Sequence, residues 1–218
     1  MNAGRIYWCL AGILKGCFLV DVSRCCVYSS YTYLYLSLMA DAGIYAWGPA
    51  SALTAGDVTF DRTPNPALED AIREETPEYT EIVEIGGGAM ARYLHASVDL
   101  NDDGVEETFA YPLGPIFCGP GGCNLMLFAR DGDGYQLINN FPISQLPVVV
   151  SDARTQGWAD LFRPESGGGA APSFVRHFFD GERYVDAERL PAEPTPPGTA
   201  VLAGDFTLED GIPLAPGD

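Results

Sequence analysis

The sequence predicts a mainly β fold: an antiparallel sheet of hairpins, sandwich-like or a partial propeller, with one N-terminal helix packed on it. Three observations carry this expectation. The chain has 218 residues with Gly 25 and Pro 17, a turn-rich composition that favours short strands over long helices. Apolar runs of strand length recur along it, divided by Asp-Gly and Gly-Gly signals. A clear amphipathic helix period stands out in one stretch, residues 66–75. At 47% hydrophobic the chain can build a core, and its length suits one domain plus tails.

Residues 53–65 read as a linker. In the helix over 66–75, Asn65 can cap the first turn and Pro66 suits the first helical position. Leu68, Ala71 and Ile72 mark its packing face, Glu69 and Asp70 complement its N-terminal dipole, and Pro77 ends it. Gly86-Gly87-Gly88 is a break. Strands are expected at 93–99, 107–113, 123–130, 135–138, 148–150, 157–162, 174–179 and 183–186, with a helical turn at 143–146. The run Leu125, Met126, Leu127, Phe128 is apolar on both faces and belongs at the centre of a sheet. Asp131-Gly132-Asp133-Gly134 and Asp180-Gly181 mark hairpins, because glycine tolerates positive φ. Gly167-Gly168-Gly169 is a loop, and Trp158 is an expected core anchor. Residues 190–218 hold 6 prolines and read as a loosely ordered tail, with one short strand at 200–202. The domain is therefore expected over 66–189. The pattern around Asp131-Gly132 recurs at Asp180-Gly181, 49 residues on. That spacing is close to a propeller blade, though the chain is too short for a closed ring of them.

Residues 1–52 differ from the rest. They hold 6 of the 11 tyrosines and 4 of the 6 cysteines. An apolar run at 6–14 follows Arg5, as in a signal peptide, and Ala50-Ser51-Ala52 fits a small-x-small cleavage site. Leu14-Lys15-Gly16-Cys17 looks like a lipobox with a foreign lysine, so a lipid anchor stays open. Ser29, Ser30, Asp41 and Gly43 interrupt the apolar stretch that follows, which argues against a stable membrane span. Three readings stand: an export segment, an upstream extension of the true start, and a folded element. The first two lie outside the fold.

The formal net charge is −18, and residues 53–218 carry 28 acids against 9 arginines, a net of −19. So acidic a body repels phosphate backbones and disfavours nucleic-acid binding. It suits a cation, a basic partner or a salty medium.

The densest oxygen chemistry lies at 99–107. Counting from Asp99, Asn101 and Asp103 take positions 3 and 5, Gly104 position 6, Val105 position 7 and Glu107 position 9. Side chains at alternating positions of a tight turn can converge on a hard cation such as Ca²⁺, with the Val105 carbonyl as a further oxygen. Position 12 is Ala110, so the bidentate glutamate of an EF-hand is missing. The alternative is an acidic hairpin whose carboxylates only cap backbone amides. The pattern resembles the Asp-x-Asp/Asn-x-Asp-Gly-x-x-Asp/Glu calcium loops of FG-GAP and VCBS-like β-repeats, which also join two strands. That resemblance covers one nine-residue copy, and Glu107 stands where those loops also take aspartate. It implies Asp99, Asn101, Asp103, the Val105 carbonyl and Glu107 as calcium ligands.

Cys118-Gly119-Pro120-Gly121-Gly122-Cys123 brings two cysteines within reach of each other, and no histidine or further cysteine pair nearby completes a zinc site. A structural disulfide follows, and with it an oxidising compartment, periplasmic or secreted. Gly119, Pro120, Gly121 and Gly122 form a stiff tip suited to meeting a partner. The succession of acidic loop, Cys-Gly-rich loop and apolar strand is similar to small exported β-rich proteins and lipoproteins of Gram-negative bacteria, a group without a shared activity.

His95 and His177 read as structural. There is no Gly-x-Ser-x-Gly elbow and no phosphate loop. Tyr135, Trp158 and Tyr184 would serve sugar stacking only if exposed, and core packing is the expectation. The sequence thus points to a non-enzymatic exported binding protein of the enzyme-inhibitor or immunity type, meeting a protein partner and holding a structural calcium loop. One alternative is a calcium-dependent module binding carbohydrate or cell-wall polysaccharide. Another is a small cell-wall hydrolase, which needs a pocket where two carboxylates or a histidine converge.

Overall fold

The computed structural model describes residues 56–79, 90–167 and 169–214, all within the unit Tyr45–Asp218. The segment read as export or extension (1–52), Gly86-Gly87-Gly88, Gly168 and residues 215–218 lie outside the described residues. The chain is mainly β with a single α-helix among the described residues. Its strands are β1 (Val58–Thr59), β2 (Arg92–Val98), β3 (Glu107–Leu113), β4 (Cys118–Gly119), β5 (Gly122–Asp131), β6 (Gly134–Ser144), β7 (Val148–Thr155), β8 (Trp158–Gly167), β9 (Ala170–Phe179), β10 (Tyr184–Pro191), β11 (Thr199–Ala203) and β12 (Ile212–Pro213). The helix α1 spans Pro66–Glu74.

These strands form two sheets. One runs β1-β11-β7-β8-β9-β10; the other runs β12-β2-β3-β5, with β4 and β6 also pairing β5. Every pairing is antiparallel except β1 with β11. The inner faces meet in one core. Leu94, Phe109, Tyr111, Leu125 and Leu127 come from the second sheet, and Val148, Leu161, Phe179, Tyr184 and Val201 from the first. This is a sandwich, and the strand period of two explains it. Along β5 the odd positions Leu125 and Leu127 enter this core, while Met126 and Phe128 enter a second cluster on the sheet's outer face. That strand is therefore apolar on both faces, as its sequence requires.

The second cluster is covered by α1 through Leu68, Ala71 and Ile72. Asn65 Oδ1 accepts from the Leu68 amide at 3.2 Å, and its Nδ2 donates to Tyr135 Oη at 2.8 Å. The helix is thus capped and tied to β6 by one side chain. Burying Leu68 and Ile72, both at 0% exposure, contributes about 1.5–3 kcal/mol each.

Three local expectations need correction. The helical turn expected at 143–146 is instead the end of β6, because Ser144 pairs with Cys123 and continues the ladder. The stretch expected to be a linker holds β1, and Asp61 bridges to His95. The stretch expected to be a tail belongs to the fold: the short strand expected at 200–202 is β11, between β1 and β7, and an unexpected strand, β12, lies beside β2. Val201 and Leu202 are both at 0% exposure.

Candidate functional site

The acidic loop connects β2 to β3. Asp102 and Gly104 adopt positive φ, 60° and 86°, which folds the loop back on itself. Its side-chain oxygens then meet its own amides. Asp99 accepts from Asn101 at 3.2 Å and from Gly104 at 2.9 Å, Asn101 from Asp103 at 2.9 Å, and Asp103 from Val105 at 2.7 Å. The Gly104 amide holds the Asp99 carboxyl below the usual carboxylate range. Glu107 lies buried at the base, where Oε2 accepts from the Leu100 amide at 2.8 Å. Burial pushes its carboxyl up, the Leu100 amide opposes that, and the charges of Asp103 and Asp99 add to the rise. Arg154 closes the outside, donating to the Leu100 carbonyl at 2.6 Å and to Asp102 Oδ1 at 2.7 Å.

The donor chemistry matches a hard cation, since each capping oxygen keeps a second lone pair. Yet among the described residues no group of three or more His, Cys, Asp or Glu side chains is placed to hold a metal. Val105 is 48% exposed and its amide, like those around it, serves the turn.

Cys118 and Cys123 form a disulfide with an S–S distance of 2.06 Å. They face each other across the β4–β5 pair. In the tip between them Gly119 and Pro120 are exposed, Gly121 is half-buried and Gly122 is buried. Gly122 has φ +132°, and a Cβ there would stand 2.1 Å from the Ser144 carbonyl oxygen. Only glycine fits. A Cβ on Gly121 would stand 2.6 Å from Ile143 Cγ2. Gln145 Nε2 donates to the Gly121 carbonyl at 3.2 Å and to the Ser166 carbonyl at 3.4 Å. The tip is therefore seated on the end of β6, half wedge and half buttress. Although close in sequence, tip and acidic loop lie at opposite ends of β3, separated by its seven residues, about 20 Å of strand.

Beside the tip lies a cleft of about 430 Å³ at the seam between the two sheets. β6 forms one wall with residues 139–143, β8 supplies Arg163, Glu165 and Ser166, and β10 supplies Tyr184 and Asp186. Asn139 fixes the wall: its Oδ1 accepts from the Tyr184 amide at 2.6 Å and its Nδ2 donates to the Tyr184 carbonyl at 2.9 Å. The two sheets are thereby joined at this seam. Arg163 is 6% exposed. Its Nη2 donates to Glu165 Oε1 at 3.0 Å and its Nη1 to Ser144 Oγ at 3.3 Å, and the guanidinium lies over the Phe141 ring at 5.6 Å. Its Nε is buried with no hydrogen-bond partner among the described residues.

His177 stands beside it, 1% exposed, with its ring edge-on to Phe141 at 5.0 Å. Its Nδ1 lies 3.0 Å from Asp186 Oδ1, but neither ring nitrogen has the alignment of a hydrogen bond. Burial, then the Arg163 charge, lowers its pKa to about 4, so it is neutral at physiological pH. Glu165 also pairs with Arg189. At the rim, Ile143 is 62% exposed and has φ +53°. A β-branched residue in the left-handed region is strained.

No protein-family model, curated protein or solved structure matches this chain. Of the residues flagged in sequence, Cys118 and Cys123 are joined, the tip is formed, and the acidic residues share one loop. His95 is buried, with Nε2 2.9 Å from the Thr63 carbonyl. Trp158 stacks on Phe179 at 4.4 Å and Tyr184 is buried, so neither offers an open sugar platform. The cleft residues Arg163, Glu165, Asp186 and Ile143 were missed. Their signal lay in the strand alternation: β8 puts Leu161, Arg163 and Glu165 on one face, where an apolar face turns polar.

Proposed function

We propose that this is an exported, non-enzymatic binding protein that meets its partner where the disulfide tip, Ile143 and the cleft between the sheets adjoin. The observation that carries this reading is Ile143, a strained and exposed apolar side chain pinned between the disulfide tip and the cleft. Strain of this kind persists only where the surroundings enforce it and gathers at recognition sites. The disulfide supports an oxidising compartment, periplasmic or secreted. The partner is a protein or a cell-wall polysaccharide. Recovery from a periplasmic extract tests this reading, with Ile143→Asp and Pro120→Arg beside the unaltered chain. Pro120 is the better tip position than Gly121, whose replacement would displace Ile143. Each variant should lose the same partner; an unchanged set of recovered molecules refutes the proposal.

The loop at 99–107 is the proposed Ca²⁺ staple, with Asp99, Asn101, Asp103, the Val105 carbonyl and Glu107 as its oxygens. Its support is the electrostatic pressure on Glu107 from Asp103 and Asp99, which a divalent cation would relieve. Thermal melts with Ca²⁺ and with a chelator should then differ, and Asp103→Ala should remove the difference.

The hydrolase alternative asks for converging carboxylates or a histidine, and the cleft does bring Glu165, Asp186 and His177 near one another. However, Glu165 is engaged by two guanidinium groups and His177 faces no serine, cysteine or threonine in any hydrogen bond. Binding is the better account of that arrangement.

A further inference from the structure

The seam between the two sheets is held by a side chain that does the work of a strand. Asn139 Oδ1 accepts from the Tyr184 N–H at 2.6 Å, and its Nδ2 donates to the Tyr184 carbonyl at 2.9 Å. A neighbouring antiparallel strand makes the same two-bond exchange with its backbone. The amide of Asn139 thus takes the place of one peptide unit beside β10. We infer that a true peptide continues this pairing: an extended segment of a protein partner, carrying lysine or arginine, adds to the edge of β10 at the cleft. This rests on the reading of tip, Ile143 and cleft as the recognition surface, and names the partner's chemistry there.

The geometry of β10 sets where the segment pairs. Among the described residues β10 pairs with β9 alone and β6 with β5 alone, so both present an edge at this seam. In an antiparallel strand successive residues turn their N–H and C=O to opposite sides. Asp186, two residues beyond Tyr184, therefore presents both groups to the same edge as Tyr184 does. That edge borders the cleft, which Tyr184 and Asp186 line opposite residues 139–143 of β6. Beyond Asp186 the register with β9 shifts before Arg189. A bulge of this kind turns an edge away from further pairing. The ledge is short, and a few residues of extended chain fill it. Main-chain bonds give such a complex its affinity, and the side chains beside them give it selectivity.

Charge decides which side chain. Arg163 and Glu165 line the cleft and match each other at 3.0 Å. Asp186 completes the charged lining, with its side chain 70% exposed. Its ion-pair neighbour is His177, at 3.0 Å and neutral at physiological pH, so its charge is left uncompensated. A residue opposite Asp186 in an added strand carries its side chain on the same face, about 4.5–5.5 Å away at Cβ. Lysine or arginine there meets the carboxylate. The chain as a whole, with a net charge of −18, attracts the same sign and repels a second copy of itself. Ile143, exposed at the rim, offers an apolar contact to a side chain further along the segment.

Amide chemical shifts of the nitrogen-15-labelled full chain at pH 7 test the inference, with acetyl-Thr-Lys-Thr-Lys-Thr-amide as probe. The cross-peaks of Asp186 and, across the cleft, of Asn140 and Phe141 should move and saturate at millimolar peptide. The lysine opposite Asp186 uses its own N–H, so N-methylation of both lysines should abolish the shifts. The counterpart with glutamate in place of lysine should give none. Asp186→Asn should weaken binding about two- to fivefold, the range of one opposite-charge cross-strand pair. Asp186→Pro should abolish it, because the ring removes an N–H that faces away from β9, where an edge strand tolerates proline. A urea titration shows whether that variant is folded, and the N-methylated peptide tests the same edge on the unaltered chain. No shift at Asp186 with the lysine peptide overturns the inference. So does equal binding of the glutamate or N-methylated peptide, undiminished binding by Asp186→Asn, or movement of the same cross-peaks by chitohexaose and not by peptide. If the peptide fails yet Ile143→Asp still loses the extract partner, the partner's chemistry is wrong and the recognition surface stands. If the peptide binds and Ile143→Asp recovers everything, the β10 edge stands and the surface is wrong.

Discussion

At the scale of single residues, the informative groups are those whose burial is unmatched by hydrogen bonds. His177 is the clearest. Its pKa in the folded chain is about 4, below the value of about 6.5 for a free imidazole. The unfolded chain therefore binds the proton first, and the folded state loses stability as pH falls from the free value towards the folded one. Above that window the contribution is fully present. Urea midpoints should fall between neutral pH and about pH 5, and His177→Gln should flatten the fall. An unchanged slope in the variant would assign the effect to other groups. Glu107 tests the opposite end of the molecule. Glu107→Ala leaves the buried Leu100 amide without its acceptor and should cost about 1–3 kcal/mol. Glu107→Gln keeps an acceptor and removes a charge that burial and the neighbouring aspartates oppose. It should match or exceed the unaltered chain in chelator, and should show no calcium-dependent shift in melting. The acidic residues were legible because turn chemistry is local: Asp, Asn and Gly at fixed offsets dictate a loop whatever surrounds it. Arg163 was not, because its meaning depends on which strand lies opposite.

At the scale of elements, the disulfide hairpin shows how a local signal and a long-range contact share one structure. The cysteine spacing announced the bond. It did not announce that Gly122 would lie against β6, with room for no side chain beside Ser144. Removing the bond by Cys118→Ser with Cys123→Ser should cost only about 2 kcal/mol, since the closed loop is short. Gly122→Ala should cost more than the double variant, because it meets backbone at 2.1 Å and also strains a positive φ. Urea titration of both gives the order, and a double variant costlier than Gly122→Ala would show that the bond, not the glycine seat, positions the tip. The same dependence explains the turn expected at 143–146. Ile143 to Leu146 reads as a helical turn in isolation, and pairing with β5 overrides that local preference. Helix α1 needed no such correction, since its cap, its first-position proline and its apolar face are all encoded within ten residues.

At the scale of the whole molecule, the sandwich closes through the segment that looked least like structure. β11 sits between β1 and β7, with Thr199 opposite Val150, and β12 sits beside β2, with Ile212 opposite Tyr93. Both pairings join residues far apart in the chain, so no window of sequence displays them. The short strand at 200–202 was legible in the sequence, but the apolar positions are few, and hydropathy alone gives the stretch no place in a sheet. Their placement decides otherwise: Val201, Leu202 and Phe206 all enter the inter-sheet core. Removing residues 199–218 strips a strand from inside the first sheet, leaving β1 without β11, its partner strand among the described residues, and opening β7 to solvent. An edge of unpaired amides and carbonyls then faces water where the core was closed. The truncated chain should lose cooperative urea unfolding and near-ultraviolet circular dichroism together. Phe206→Ala, which keeps β11, should still unfold cooperatively at a cost of about 3–5 kcal/mol. The pair separates two causes: if truncation and Phe206→Ala behave alike, the segment contributes only core volume. Loss of cooperativity on truncation alone shows that the strand itself completes the sheet and, through β7 and β8, holds Arg163 at the floor of the cleft.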